Sequence, residues 1–231
     1  MANGWSASAR EGTNQATRDS GTGTVSGYEW MLLAVFFAIL GWSAIRPFDY
    51  FTWLLEVLPA IIALGLIVST YRRFPLTRLI LTLVLIHAII LMIGGHYSYA
   101  KVPLFDWVRE YLHQSRNNYD RVGHFMQGFV PAMVAREVLL RKNVVRGKVW
   151  LFFIVLCICG AVSAMYELFE WSVAIASGTA ADAFLGSQGD PWDTQEDMAC
   201  AFVGAITSQI FFNGWHNRQL LVRRFMSDKV H

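Results

Sequence analysis

Asp120 and His124, Glu167 and Glu170, and Asp193 and Asp197 form three pairs at three- or four-residue spacing. That spacing puts each pair on one face of a helix. Carboxylates joined by a histidine are the donor set of a hard or borderline divalent cation such as Mg, Mn, Ca, Zn or non-haem Fe. The expected ligands of such a metal ion, the one cofactor the sequence points to, are Asp120, His124, Glu167, Glu170, Asp193 and Asp197. His124, Asp120 and Glu167 are also the catalytic candidates, His124 as ligand or general base and a carboxylate as general acid or base. Among these six residues no Glu-x-x-His pair and no His-Glu-x-x-His motif occurs, so neither the ferritin-like di-iron site nor the zincin site is expected.

The elements that must position these groups are membrane helices. The chain has 231 residues, 55% of them hydrophobic and only 16% charged, where a soluble domain carries about 25% charged residues. Crossing the hydrocarbon takes about 20 mostly apolar residues. Six stretches qualify: 28–46, 51–70, 76–94, 120–140, 149–171 and 195–214. Glu56 interrupts the second and His87 the third; His87, alone on an apolar face, reads as a hydrogen-bonded core residue. In the fourth, Asp120, His124, Gln127 and Pro131 share a face, and among five more apolar segments that face is expected to point into a bundle. Gly160 and Ser163 continue the acidic stripe of the fifth helix, and Ala201, Gly204 and Ser208 that of the sixth. Small residues let such helices approach closely, which groups the fourth, fifth and sixth around the acids.

With an inside amino terminus, 14 of the 19 basic residues fall on inner segments, leaving Arg46, Lys101, Arg109, Arg116 and Arg121 outside. The positive-inside rule then gives an even number of spans with both termini in the cytoplasm. Arg136, Arg141 and Lys142 read as markers of that topology. The three acidic pairs, with His96, converge near the outer surface. Their mutual repulsion calls for a metal ion, Arg121 or another cation, or protonation. In the long outer loop, Leu104, Trp107, Val108, Tyr111 and Leu112 recur at helical spacing after Pro103, the pattern of a short interfacial helix.

The expected architecture is all-α: a six-helix polytopic membrane bundle over 27–215, with that interfacial helix. A disordered polar tail (1–26) precedes it and a cytoplasmic tail (216–231) follows. No short basic start leads into an apolar core and cleavage site, so the first run is expected to be an uncleaved anchor. Cys157, Cys159 and Cys200 lie in apolar runs as small buried residues. A net charge of +2 without clustered basic and stacking residues gives no expectation of nucleic acid, and the lipid bilayer is the expected partner.

Several stretches resemble the YjdF-like bacterial inner-membrane proteins. They are Gly95-His-Tyr-Ser-Tyr-Ala-Lys-Val-Pro103, Asn118-Tyr-Asp-Arg-Val-Gly-His124, Arg136-Glu137, Tyr166-Glu-Leu-Phe-Glu-Trp171 and Leu185–Met198. The resemblance covers residues 28 to 215. It implies a multi-pass inner-membrane protein, whose outer side is the periplasm, and transfers no activity. Three readings of the cluster stay open: a metal-dependent enzyme acting on a lipid headgroup or envelope substrate, an ion- or proton-coupled transporter, and a non-catalytic scaffold with a structural polar network.

Overall fold

The computed structural model describes residues 25–177, 184 and 187–227, and among them every regular element is helical. The helices are α1 (Gly27–Ser43), α2 (Tyr50–Thr70), α3 (Arg78–Tyr97), α4 (Pro103–Tyr111), α5 (Tyr119–Arg141), α6 (Lys148–Ser177), α7 (Asp193–Phe211) and α8 (Asn213–Ser227), with a 3-10 turn at Tyr99–Lys101. All six apolar stretches are helices. Three of them, α2, α3 and α6, are long and apolar enough to cross a membrane, and α1 is a shorter apolar helix. Except for Val25 and Ser26, the expected disordered tail lies outside the described residues.

Local chemistry sets the helix starts. Glu29 Oε2 accepts from the Ser26 amide at 2.8 Å, half of a capping box at α1. Asp49 caps α2 through the Thr52 amide at 2.7 Å. Pro103 opens α4 at the first turn, where its missing N–H costs nothing. The fifth apolar run continues well past residue 171, because Ser172–Ser177 contains no helix breaker. α3 likewise passes through Gly94-Gly95, which do not end it. Their lack of a side chain has a packing reason: a Cβ on Gly94 would sit 2.3 Å from the Tyr99 ring, and one on Gly123 2.9 Å from it.

α3 packs against α1 and α2, α5 packs against α6 and α7, and the two groups meet along α3 and α5. The most extensive contact is between α5 and α7. It exists because glycine faces backbone in both directions. A Cβ on Gly128 would lie 1.7 Å from the Ala201 carbonyl oxygen, and one on Gly204 2.0 Å from that of Phe125. Gly160 of α6 makes room in the same way for the Phe202 ring of α7. The small-residue stripes therefore do bring α5, α6 and α7 together.

The carboxyl-terminal segment departs from a plain tail. α8 follows α7 after a break at Phe212 and buries His216 completely. Its partner is Glu137 on α5, also fully buried, whose carboxylate accepts from the Thr77 hydroxyl (2.8 Å) and Arg141 Nη1 (2.8 Å) and lies 3.0 Å from His216 Nε2. Arg136 Nη1 donates to His216 Nδ1 at 2.6 Å, and Nη2 to Asn217 Oδ1 at 2.7 Å. Because a guanidinium can only donate, Nδ1 must be the acceptor, and the ring proton on Nε2 is directed at Glu137. Arg136 and Arg141 thus hold a buried network, beyond the topological role their charge implies.

Candidate metal centre

The site forms where the first two turns of α5 meet the last third of α6 and the start of α7. Asp120, His124, Glu167, Glu170 and Asp197 are all buried. Asp120 Oδ1 lies 3.5 Å and Asp197 Oδ2 3.7 Å from His124 Nε2. One donor atom from each of these three residues lies within 4.8 Å of the others. The two His124 distances are too long for good hydrogen bonds. Donors about 2.1 Å from a shared tetrahedral ion would stand about 3.4 Å apart, so the gaps suit one cation seated between them. On the other side of the ring, His124 Nδ1 is 2.8 Å from Gln127 Oε1. An amide oxygen must accept, so Nδ1 carries the proton and Nε2 presents its lone pair to the carboxylates. This is how a metal-binding histidine is usually oriented.

The remaining expected ligands divide. The Thr194 side chain hydrogen-bonds the Glu167 carboxylate, while Glu167 Oε1 has no hydrogen-bond partner among the described residues and lies 3.7 Å from His124 Nδ1. Glu170, with Tyr166, lines a cavity that Asp120 and His124 also line. Asp193 is held by Arg116 Nη1 at 2.6 Å and Arg121 Nη2 at 3.0 Å. It is therefore part of an ion-pair cluster at the mouth of the site. His96 is not brought in, its Nδ1 being 3.1 Å from the Ser43 carbonyl oxygen and its ring packed on Trp42.

Two arginines supply the counter-charge the acids require. Arg121, expected in this role, bonds Asp197 and reaches Asp190 (3.3 Å) and Glu196 (2.8 Å). Arg116, one turn before Asp120, is 3.4 Å from Asp120 Oδ2 and 3.2 Å from Asp190 Oδ2. Its sequence signal was only a basic residue in a loop. Asn117, wholly buried, ties the neighbouring segments together: its Nδ2 donates to the Val102 carbonyl and Asp106 Oδ1, both at 3.1 Å, and its amide donates to Gln188 Oε1 at 3.0 Å. At Asp190 the Trp192 amide donates to the carboxylate, and the two guanidiniums add to the effect, so its pKa lies below the ordinary carboxylate range.

The cavity beside Asp120 and His124 has a volume of about 50 Å³, enough for a few water-sized groups. Its other walls are Glu56 and Pro59 of α2, His87 and Leu91 of α3, Tyr99, and Gly123 and Gln127 of α5. Among the described residues His87 Nε2 is buried without a hydrogen-bond partner, where a core histidine would be expected to have one. Glu56 and His87, two breaks in apolar runs, here belong to one polar surface.

The family model described as "Predicted membrane protein (DUF2238)" matches residues 28–218. The chain is 56% identical to the "Inner membrane protein YjdF" of Escherichia coli strain K12 over 187 residues, which cover 81% of this chain and 88% of that protein. No solved structure matches.

Proposed function

Because the chain belongs to the DUF2238 family of membrane proteins, we propose that it is a six-span inner-membrane protein carrying a divalent metal centre open to the periplasm. α1, α2, α3, α5, α6 and α7 are the spans, both termini lie in the cytoplasm, and α4 rests in the headgroups through Leu104, Trp107 and Tyr111, all exposed. Residues 27–215 form the membrane domain between a polar tail (1–26) and a cytoplasmic segment (216–231), with α8 docked on the bundle through His216. A periplasmic reporter fused at Gly189 should be active and one at Pro75 silent; the reverse pattern would invert the orientation.

Asp120, His124 and Asp197 are the ligands, and the opposed orientation of His124 Nε2 and Nδ1 is the observation that carries the reading. A divalent ion there would polarise a phosphoryl or carbonyl oxygen, or activate a water. Glu167, whose Oε1 is free beside His124, is placed to take or return a proton. A headgroup or envelope substrate fits a centre at the membrane surface, so the function favoured is metal-dependent hydrolysis at the periplasmic face. The assay is hydrolysis of a mixed phospholipid extract by detergent-purified protein. Activity should disappear with chelator, return with Mn²⁺ or Zn²⁺, and be absent in His124→Ala; turnover unaffected by chelator would exclude this chemistry.

Ion- or proton-coupled transport is the second reading, favoured by the unpartnered His87 Nε2, which extends the polar surface along α3. Coupled flux in proteoliposomes that Asp120→Asn abolishes would put it first. A purely structural network would respond to Asp120→Asn and Glu167→Gln with lost stability alone.

A further inference from the structure

The cavity between α2, α3, α5 and α6 holds more negative charge than its surroundings answer. Glu56, Asp120 and Glu170 line it, and among the described residues no lysine or arginine does. Arg116 answers Asp120. Glu56 has the Tyr99 hydroxyl as a hydrogen-bond partner. Glu170, 9% exposed, has no side-chain hydrogen bond among the described residues. His87 Nε2 adds a third polar atom in need of a partner. Buried carboxylates left this way are costly, and a bound cation is one means of relieving the cost.

The walls discriminate among cations. Tyr99 and Tyr166 are among those walls, and the face of an aromatic ring attracts an organic cation. The glycines at 94 and 123 exist in close contact with the Tyr99 ring, which fixes that wall. An –NH₃⁺ group has three N–H donors, and the cavity offers Glu56, Glu170 and His87 Nε2 from three different helices. A quaternary ammonium has no N–H to give them. The volume of about 50 Å³ suits an ammonium with a short alkyl stem.

We propose that this cavity binds a primary ammonium group on a short chain, with Glu170 and Glu56 as its counter-charges and Tyr99 and Tyr166 as its aromatic walls. The group is either the amine of a 2-aminoethyl phospholipid headgroup or a free alkylammonium. The inference deepens the metal reading, because Asp120 and His124 form the wall shared with the metal centre. A substrate with its amine here would lay the adjoining phosphoryl or ester group toward His124.

The test is thermal-shift and calorimetric titration of the full chain in detergent with ethanolamine and with choline. It is repeated in nanodiscs of phosphatidylethanolamine, phosphatidylcholine or phosphatidylglycerol. Ethanolamine should raise the melting temperature and choline should not, and Glu170→Gln should weaken binding at least about tenfold, the effect of one lost charge-assisted bond. Glu56→Gln should act in the same direction. Both substitutions remove buried charge at constant shape, so the fold should survive them. Stabilisation specific to phosphatidylethanolamine discs identifies the lipid headgroup as the source; stabilisation by ethanolamine alone identifies a free amine. Equal responses to ethanolamine and choline, an ethanolamine response unchanged in both variants, or a Glu170-dependent response to Mg²⁺ or Mn²⁺ alone would overturn the proposal. Metal content measured on the same samples separates the two readings: Glu170→Gln should lose the amine response and keep the metal, whereas His124→Ala should lose the metal.

Discussion

His124 Nδ1 stands 2.8 Å from Gln127 Oε1, one turn along the same helix. That single contact fixes which ring nitrogen faces Asp120 and Asp197. Gln127→Ala removes it while leaving all three donors in place. Metal affinity should fall about 10- to 100-fold, the usual effect of losing an outer partner of a histidine ligand. Titration against a competing chelator measures this, and an unchanged affinity would show that Gln127 does not orient the ring.

The α5–α7 contact should be intolerant of any side chain at its two glycines. Gly128→Ala places a methyl against the Ala201 backbone and Gly204→Ala against that of Phe125, neither of which can move without shifting a helix. A loss of about 1–3 kcal/mol is expected for each, the usual cost of overpacking. Gly65→Ala, where the added Cβ meets nothing, is the control and should be neutral. Detergent melting curves for the three variants test the contrast.

At the opposite end of α5, Glu137→Ala should be more damaging than a typical core truncation. It removes at once the acceptor shared by His216 Nε2, Arg141 Nη1 and the Thr77 amide and hydroxyl. Breaking one buried pair costs about 3–5 kcal/mol. His216→Ala should release α8 as well, which limited proteolysis would report as new cleavage after residue 212. Protection of that segment in both variants would mean that α8 is held by other contacts.

Asp190 gives the loop before α7 a pH dependence of definite sign. Its carboxyl is held below the ordinary range by the Trp192 amide, with Arg116 and Arg121 adding to the effect. A depressed carboxylate contributes stability that is fully present above its unfolded value, about 3.9, and lost as pH falls through the folded one. Amide protection around residues 187–193 should therefore be flat from neutral pH down to about 4 and decline below it. In Asp190→Asn that decline should be absent; a variant that keeps it would place the titrating group elsewhere.

Much of this arrangement is legible in the sequence because it is local. Apolar runs give the helices, and the spacing of Asp120/His124 and of Glu167/Glu170 gives their common faces. The glycines at 128, 160 and 204 explain why those faces meet, although Gly128 carries no signal until Ala201 is opposite it. The rest is tertiary. Arg116 reads as a loop charge, and only the fold sets it between Asp120 and Asp193. Glu56 and His87 read as separate blemishes in two apolar runs, yet they share a cavity with Glu170 from a third helix. α8 has no hydropathy signal to announce it, because polar contacts dock it: His216 on a buried carboxylate, Asn217 on Arg136 and Gln219 on the Leu79 amide.

The most direct test of the proposed metal centre is metal coordination at Asp120, His124 and Asp197. Protein loaded with one equivalent of Zn²⁺ or Mn²⁺ should show, by X-ray absorption or anomalous diffraction, one imidazole nitrogen from His124 with carboxylate oxygens from Asp120 and Asp197. The distances should be about 2.0–2.2 Å. His124→Ala and Asp197→Asn should each abolish that signature without unfolding the bundle. A stoichiometric metal bound elsewhere, or no binding at micromolar ion with the three side chains placed as described, would contradict the account.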